Sequence, residues 1–543
     1  MTPIAGSRAT LCLALLALAP TLAAGAAQGD DLSILAANPD SALAVMVQRQ
    51  AGEPLALEDA LRAALAADPS LLAAAAGRDA ARGAARSQAG DFWPELFGEV
   101  SRGSDEQPTA SVFSGADVLV NDQDALSAGA RMKLPTGTEL SATLNSTRLE
   151  TNSSFATLSP QIDTYGELAI TQPLLKGFGP AASSGRDAAD AQRRQAESLY
   201  ADARLATAAG VEAGYWALYA AERDHAVQLL IRDQAQAFLD EAELRAKAGL
   251  AGPGAVASAR VFLAQQAQVV FDSEELLDQS SDRLATLMGR RPEGSGRYHA
   301  LGAPPGAFPA ADEDSLVALA SAQSPSLAAA REALDAAHAR ARGAAWNALP
   351  SLDLYGAVGG RGLGGTGRTI ITNFGGQPDT LISTLDTGFG DTFSQVTGRD
   401  YPSWRMGLRF NVPLGASDRG ERDRLRAEEA RASAQLAAAR RALDETVRAQ
   451  YRELARGQER LALAEDGVDA SLEQVRIGLL EFKHGRSTTF ELVRLGADLA
   501  DAQRRYSAAL VRTARAAATL RRLTAGAYPD PGPAGALSEE TAQ

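Results

Sequence analysis

The chain is 543 residues long with a formal net charge of −14; without a basic excess to displace counterions, a nucleic-acid partner is excluded. Only 5% of residues are aromatic and alanine is abundant, a composition that suits long helices packed closely through small side chains. Beyond the N-terminal segment no run of about 18 apolar residues occurs, so no membrane-crossing helix is expected.

Residues 1–27 read as a secretory signal peptide, with Arg8, the apolar run Leu11 to Leu22, and the small residues Ala23-Ala24-Gly25-Ala26-Ala27 for cleavage. The sole cysteine, Cys12, lies inside it, so disulfides, CxxC metal sites and cysteine nucleophiles are excluded from the mature chain. No apolar run precedes Cys12, and the mature chain is read as not lipidated. Residues 28–56 are read as an extended N-terminal segment.

From there the chain is written twice. Moving residues 66–96 forward by 256 positions gives 14 identities in 31, among them Pro69 on Pro325, Asp79 on Asp335, Arg86 on Arg342 and Pro94 on Pro350. A sparser set follows at a separation of 236, including Tyr215 on Tyr451, Leu244 on Leu480 and Gly249 on Gly485. A unit of roughly 230 residues exceeds the ~20 to 50 residue period of solenoids and points to a two-fold repeated protomer. The first repeat spans residues 57–289 and the second 313–526. The Pro- and Gly-rich stretch 290–312 is read as a linker, and 527–543 as a disordered tail.

Each repeat is predicted to run helix, strands, then a long helical hairpin. In the first, apolar spacing predicts a helix from Leu57 to Phe92, interrupted at Asp68-Pro69 and stopped by Trp93-Pro94. Ala128–Leu134 and Glu139–Asn145 alternate around the turn Pro135-Thr136-Gly137-Thr138, predicting a hairpin that either adds two strands to a barrel or lies outside it. Leu168 and Ile170 set a strand face ahead of Pro173. Helical pattern resumes near Gly185 and runs to Met288, broken at Gly249 to Gly254. The second repeat has a helix to Asn347, a strand carrying Leu352, Leu354, Gly356 and Val358, a strand from Trp404 to Val412, and a helix from about Arg419 to Thr524 broken at His484 to Ser487.

In that last strand Trp404, Met406, Leu408, Phe410 and Val412 share one face, and Arg405, Gly407, Arg409 and Asn411 the other. An apolar outside and a wet inside fit a membrane barrel. Two strands in the second repeat and two to four in the first fall short of the roughly eight a closed barrel needs, and open edges are not left in lipid, so the strands require an oligomer. The 62 residues from Arg186 to Lys247 would extend roughly 90 Å as one helix. They are too polar for lipid and must project into an aqueous compartment.

Tyr165-Gly166-Glu167-Leu168-Ala169-Ile170-Thr171-Gln172-Pro173-Leu174-Leu175-Lys176-Gly177-Phe178-Gly179 closely resembles the strand-to-helix junction of the TolC-like outer-membrane efflux proteins, and Phe410-Asn411-Val412-Pro413-Leu414 is its weaker second copy. Proline ends a ladder it cannot join, and glycines permit the bend into a helix. The resemblance covers Leu57 to Gly526. It implies a mainly α fold with membrane β: a homotrimer whose outer-membrane β-barrel is continuous with a long periplasmic α-helical barrel in a Gram-negative bacterium. It further implies an efflux or type I secretion conduit fed by a periplasmic adaptor and an inner-membrane pump, with no cofactor and no resident metal.

The resemblance also marks the hairpin tips as adaptor contacts, here Lys247, Gly249 and Leu250 in the first repeat and Phe482, Lys483, Gly485, Arg486 and Ser487 in the second. Relatives carry aspartates six and nine residues after the second tip glycine, forming an acidic ring at the aperture. Here those positions are Glu491, which matches in charge, and Arg494, which does not. The competing reading makes Glu491 a solvated helix residue paired with Arg494 or Lys483.

Enzymatic readings fail. Gly362 to Thr369 resembles a phosphate-binding loop but has Arg368 where lysine is required and no following helix, so it is read as a surface loop of the barrel. His225, His299, His338 and His484 have no ligand spacing. Trp216 with Tyr200, Tyr215 and Tyr219 is read as helix packing. An adaptor-like or structural coiled-coil protein, the alternative class, accounts for the helices and leaves Trp404 to Val412 unexplained.

Overall fold

The computed structural model describes residues 46–48, 50–110, 114–293, 296–302, 312–374 and 377–529. The expected signal peptide and Cys12 fall outside them.

Prolines and caps set the helix starts. Pro stands in the first turn of α2 (Pro69–Gly90), α3 (Pro180–Lys247), α4 (Pro253–Met288) and α6 (Pro325–Asn347), where its missing N–H has no partner to lose. Asp68 ends α1 (Leu57–Ala67) and caps α2. Its carboxylate accepts from the Ser70 amide at 2.9 Å and from the Thr207 hydroxyl on α3 at 2.5 Å, so the cap also ties the kink to the long helix. The second repeat repeats the kink at Ser324-Pro325, between α5 (Glu313–Gln323) and α6.

The long helices α3 (68 residues) and α8 (Ser417–Lys483, 67 residues) each extend about 100 Å. Shorter helices lie along them: α4 against α3, α9 (Thr489–Leu523) against both α8 and α3, and α6 against α3 and α8. Apolar clusters join them, the three largest around Leu230, Leu472 and Leu499, around Tyr215, Leu218 and Leu284, and around Leu436, Val447 and Leu520. Tyr215, Trp216 and Tyr219 pack edge to face at 5.1 and 5.9 Å inside the second cluster or beside it, which is the packing role expected of them.

Two segments read as connections are structural. β1 (Glu53–Leu55), in the expected N-terminal segment, pairs in parallel with β6 (Tyr298–Ala300), in the expected linker, with Glu53 opposite Tyr298. The Tyr215 hydroxyl donates to the Leu55 and Leu301 carbonyls and pins this pair to α3. The expected tail also starts too early, because Tyr528 is buried in the third cluster and its amide donates to Thr524 Oγ1 at 3.0 Å. Residues 530–543 lie outside the described residues.

Six long strands form one antiparallel sheet in the order β11 (Tyr401–Asn411), β7 (Ser351–Gly367), β5 (Leu158–Pro173), β4 (Glu139–Thr151), β3 (Val118–Lys133), β2 (Glu95–Pro108). The hairpin β3–β4 therefore lies within the sheet, between the first and last strands of its repeat. β10 (Asp386–Thr387) adds to β7, and β8 (Thr369–Phe374) pairs with β9 (Gln377–Ile382).

The expected surface loop at Gly362 to Thr369 is mostly strand. Gly360, Gly362 and Gly364 of β7 lie under α7 (Phe389–Gly398), and a Cβ at Gly362 would sit 2.2 Å from the Thr392 carbonyl. The glycine run lets a helix rest directly on a strand.

Candidate functional site

Strand alternation separates two chemistries across this sheet. Register places Trp404 opposite Val358, Val358 opposite Leu168, Leu168 opposite Ala142, Ala142 opposite Ala130 and Ala130 opposite Leu96. This row and its neighbours make one apolar face. Trp404 is 79% exposed and Leu96 82%, with Met406, Leu408 and Phe410 also standing out. From Trp404 to Phe410 the belt rises about 20 Å along the strand, close to the ~25 Å apolar band of outer-membrane barrels. In water such a contiguous patch has no counterpart on ordinary monomers. Above the belt the same face turns charged, where Arg102 and Arg148 both reach Asp124 at 3.6 and 3.3 Å.

The opposite face is polar and self-satisfied. Arg405 pairs with Glu167 at 2.6 Å. The Arg409 guanidinium lies over the Tyr355 ring, Arg361 over Tyr165 and Arg131 over Phe97, in the geometry of cation–π contact. Two of these rings cover glycines: a Cβ at Gly407 would meet Tyr355 and one at Gly129 would meet Phe97, both at 2.6 Å. The same ring-over-glycine device thus occurs in both repeats.

At the upper end of the apolar face, the hydroxyls of Ser146, Thr164 and Thr392 form a chain with links of 3.1 and 2.8 Å beneath α7. Phe389 and Phe393 of α7 stack at 6.2 Å and stay exposed. This helix was missed in the sequence; Phe389, Phe393 and Val396 at helical spacing opposite alternating glycines were the available signal.

The two junctions differ. At the first, the Leu174 amide donates to the Leu352 carbonyl at 2.7 Å as β5 ends at Pro173. Gly177 takes φ +86°, and the Gly179 amide donates to the Thr136 carbonyl of the β3–β4 turn. A Cβ at Gly137 would sit 2.2 Å from the Gly177 carbonyl, so turn and junction are packed backbone to backbone. Lys176 then reaches Asp418 at the start of α8 at 2.6 Å. At the second junction Pro413 is exposed and Leu414 is 98% exposed.

The hairpin tips come together at the far end of the stem. Phe482 packs on Phe238 at 5.1 Å with Arg245 over its ring, and the Arg245 guanidinium donates to the Phe482 carbonyl at 3.2 Å. Lys247 ends α3 and Lys483 ends α8. Leu250, Gly485 and Arg486 are exposed, and Ser487 is half-buried. Glu491 is exposed, with Ser487 Oγ at 3.5 Å, and Arg494 reaches Asp498 at 3.9 Å. The alternative pairing of Glu491 with Arg494 is thus replaced by an i,i+4 pair one turn further on.

Of the histidines, His225 contacts Ser273, His338 contacts Glu429 and His299 contacts Glu222. Burial pushes the Glu222 carboxyl up to about 8, and burial also lowers His299. Both shifts favour the neutral forms, so the pair is a hydrogen bond between uncharged groups near neutral pH.

A sheet with an outward apolar belt and a polar inner face, carried on an extended helical stem, defines a membrane channel of the outer-membrane type. The chain belongs to the outer membrane efflux protein family, whose model matches residues 60–290 and 316–526. Its fold is similar to the outer-membrane channel OprN (20% identity, TM-score 0.59, 87% of this chain and 90% of that one). It is also similar to the CmeC outer membrane channel of Campylobacter jejuni (13%, 0.58, 87% and 86%) and to the outer membrane protein VceC of Vibrio cholerae (16%, 0.60, 87% and 97%). No curated protein matches at the level of sequence.

Proposed function

We propose that this protein is the outer-membrane channel of a tripartite efflux or type I secretion system. It works as a homotrimer, with the sheets of three copies closing one barrel in outer-membrane lipid and the helices forming a tube through the periplasm. The observation that carries this is the apolar belt on a sheet of six long strands whose outermost two, β2 and β11, each have an unpaired edge among the described residues, too few strands to close alone. Lipid covers the belt, and neighbouring copies cover the edges.

A periplasmic adaptor docks on the tips around Lys247, Gly249, Leu250, Phe482, Lys483, Gly485, Arg486 and Ser487, and brings an inner-membrane pump with it. Leu250, exposed beyond the αL turn at Gly249, supports a contact role for the tip. Glu491 and Arg494 line the aperture. With opposite charges one turn apart on α9, they make a mixed ring rather than an acidic one. The Pro173, Leu174, Gly177, Gly179 and Pro413, Leu414 junctions turn the strands of the barrel into the helices of the tube. An adaptor-like protein has no use for the outward belt.

The test is extraction and reconstitution. The protein should resist salt, leave the outer membrane only with detergent, migrate as three copies, and conduct ions in planar bilayers. A salt-soluble monomer without conductance overturns the proposal.

A further inference from the structure

The two free edges of the sheet belong to β2 and β11, and the duplication says how they meet. Inside the chain, the last strand of repeat one pairs with the first strand of repeat two, with Pro173 opposite Asp353. The equivalent contact between copies joins the last strand of repeat two, β11, to the first strand of repeat one, β2. Pro413 is the counterpart of Pro173, and the 256-residue shift that puts Pro94 on Pro350 puts Phe97 on Asp353.

We infer that β11 of one copy pairs antiparallel with β2 of the next in the register Pro413 opposite Phe97, so that three copies close an eighteen-stranded barrel, six strands from each. The inference rests on the trimeric channel reading and specifies its seam.

Four observations support it independently of that transfer. The six strands alternate in direction, so the two edges run opposite ways and the seam continues the antiparallel order. Insertion of the β3–β4 hairpin preserves this, because it adds strands in a pair. The register also keeps the two faces in step: Phe410 falls opposite Val100 on the outward side and Arg409 opposite Ser101 on the polar side, while further along β11 Leu408 and Trp404 fall opposite Arg102 and Glu106, where the outward face of β2 turns charged. A shift by a single residue would put every side chain on the wrong face.

Charge agrees too. Arg405 falls opposite Asp105, and opposite charges directly across a pair of strands are favourable; Asn411 falls opposite Glu99, where its amide can donate to the carboxylate. Finally, Leu414, 98% exposed in the single chain, falls level with Leu96. Sixteen to eighteen strands leave an open aqueous lumen, whereas about eight are filled by their own side chains.

Paired cysteines test the seam in the full-length protein in its outer membrane. The matched pairs are Arg405→Cys with Asp105→Cys, and Asn411→Cys with Glu99→Cys. The shifted control pairs Arg405→Cys with Gly103→Cys, and Leu96→Cys with Leu414→Cys probes the rim outside the ladder. Under mild oxidation the matched pairs should give linked dimers and closed trimers on denaturing gels, at least tenfold more than the shifted control. Equal or stronger linking of the shifted control, or no linking in material that still sediments as three copies in detergent, overturns the seam and leaves the trimer standing. Sedimentation as a single chain removes both.

Discussion

Gly249 and Gly485, 236 residues apart in the chain, turn the two hairpin tips in the same way. Both take the left-handed conformation, at φ +76° and +71°. Each donates its amide to a carbonyl three residues back, Ala246 or Phe482, and the next amide reaches five back, from Leu250 to Arg245 and from Arg486 to Glu481, both at 2.8 Å. Two copies of one helix-ending motif therefore shape both tips, the surface proposed for the adaptor.

Substituting either glycine by alanine should strain the tip by about 1–2 kcal/mol, the cost of a left-handed L-residue, without a clash, since nothing lies within 4 Å of either Cβ position. Folding and trimer content should be nearly unchanged. Efflux, read as the protection a strain gains from a toxic substrate, should fall for each single variant and most for the double. Full protection by the double variant would remove the tips from the docking surface.

The two faces of β11 should respond oppositely to charge. Leu408→Arg puts a cation in the lipid-facing belt and should destabilise the barrel by roughly 2–4 kcal/mol if the site lies near the midplane. Arg405→Ala loses an exposed pair to Glu167, worth about 1 kcal/mol or less, and should change ion selectivity instead. Urea unfolding in lipid and bilayer reversal potentials separate the two. Equal destabilisation would mean that both faces meet the same medium.

Stability should depend on pH through Glu222. Burial is the main cause of its rise to about 8, from an ordinary 4.5. A carboxyl raised on folding stabilises fully below its unfolded value and loses that contribution as pH rises through its folded one. The native protein should therefore melt progressively lower between pH 5 and 9. Glu222→Gln keeps an acceptor for the Ala300 amide, bonded at 3.0 Å, and should flatten that slope. Asp224, raised to about 6 by burial and held by Ser507 at 2.6 Å, adds a smaller loss that begins at lower pH and remains in the variant. A native melting temperature that rises with pH would reverse the sign.

Local signals made most of the architecture readable. Alternation in Trp404 to Val412 and the glycine breaks at both tips report conformations decided within a few residues, and each element stands where its pattern lies. The β1–β6 pair was unreadable because Glu53 and Tyr298 meet only through the tertiary fold, and neither segment has a period of its own. The helix α7 hid in a Gly- and Thr-rich stretch because what holds it down is the absence of side chains on Gly360, Gly362 and Gly364 of another element. The place of the β3–β4 hairpin, inside the sheet, depends on ladders to β2 and β5 that a hairpin's own sequence does not encode. On α9, Arg494 reaches Asp498, four residues on, rather than Glu491, three back; both spacings bring side chains together on a helix, so the pattern alone does not choose between them.

The most direct test of the outward belt is depth-dependent quenching of Trp404 in reconstituted protein whose other three tryptophans, Trp93, Trp216 and Trp346, are replaced by phenylalanine. Bromine on the lipid acyl chains should quench Trp404 strongly, and aqueous iodide should leave it bright. Strong iodide quenching without an effect of brominated lipid would contradict a lipid-facing belt, and with it the channel.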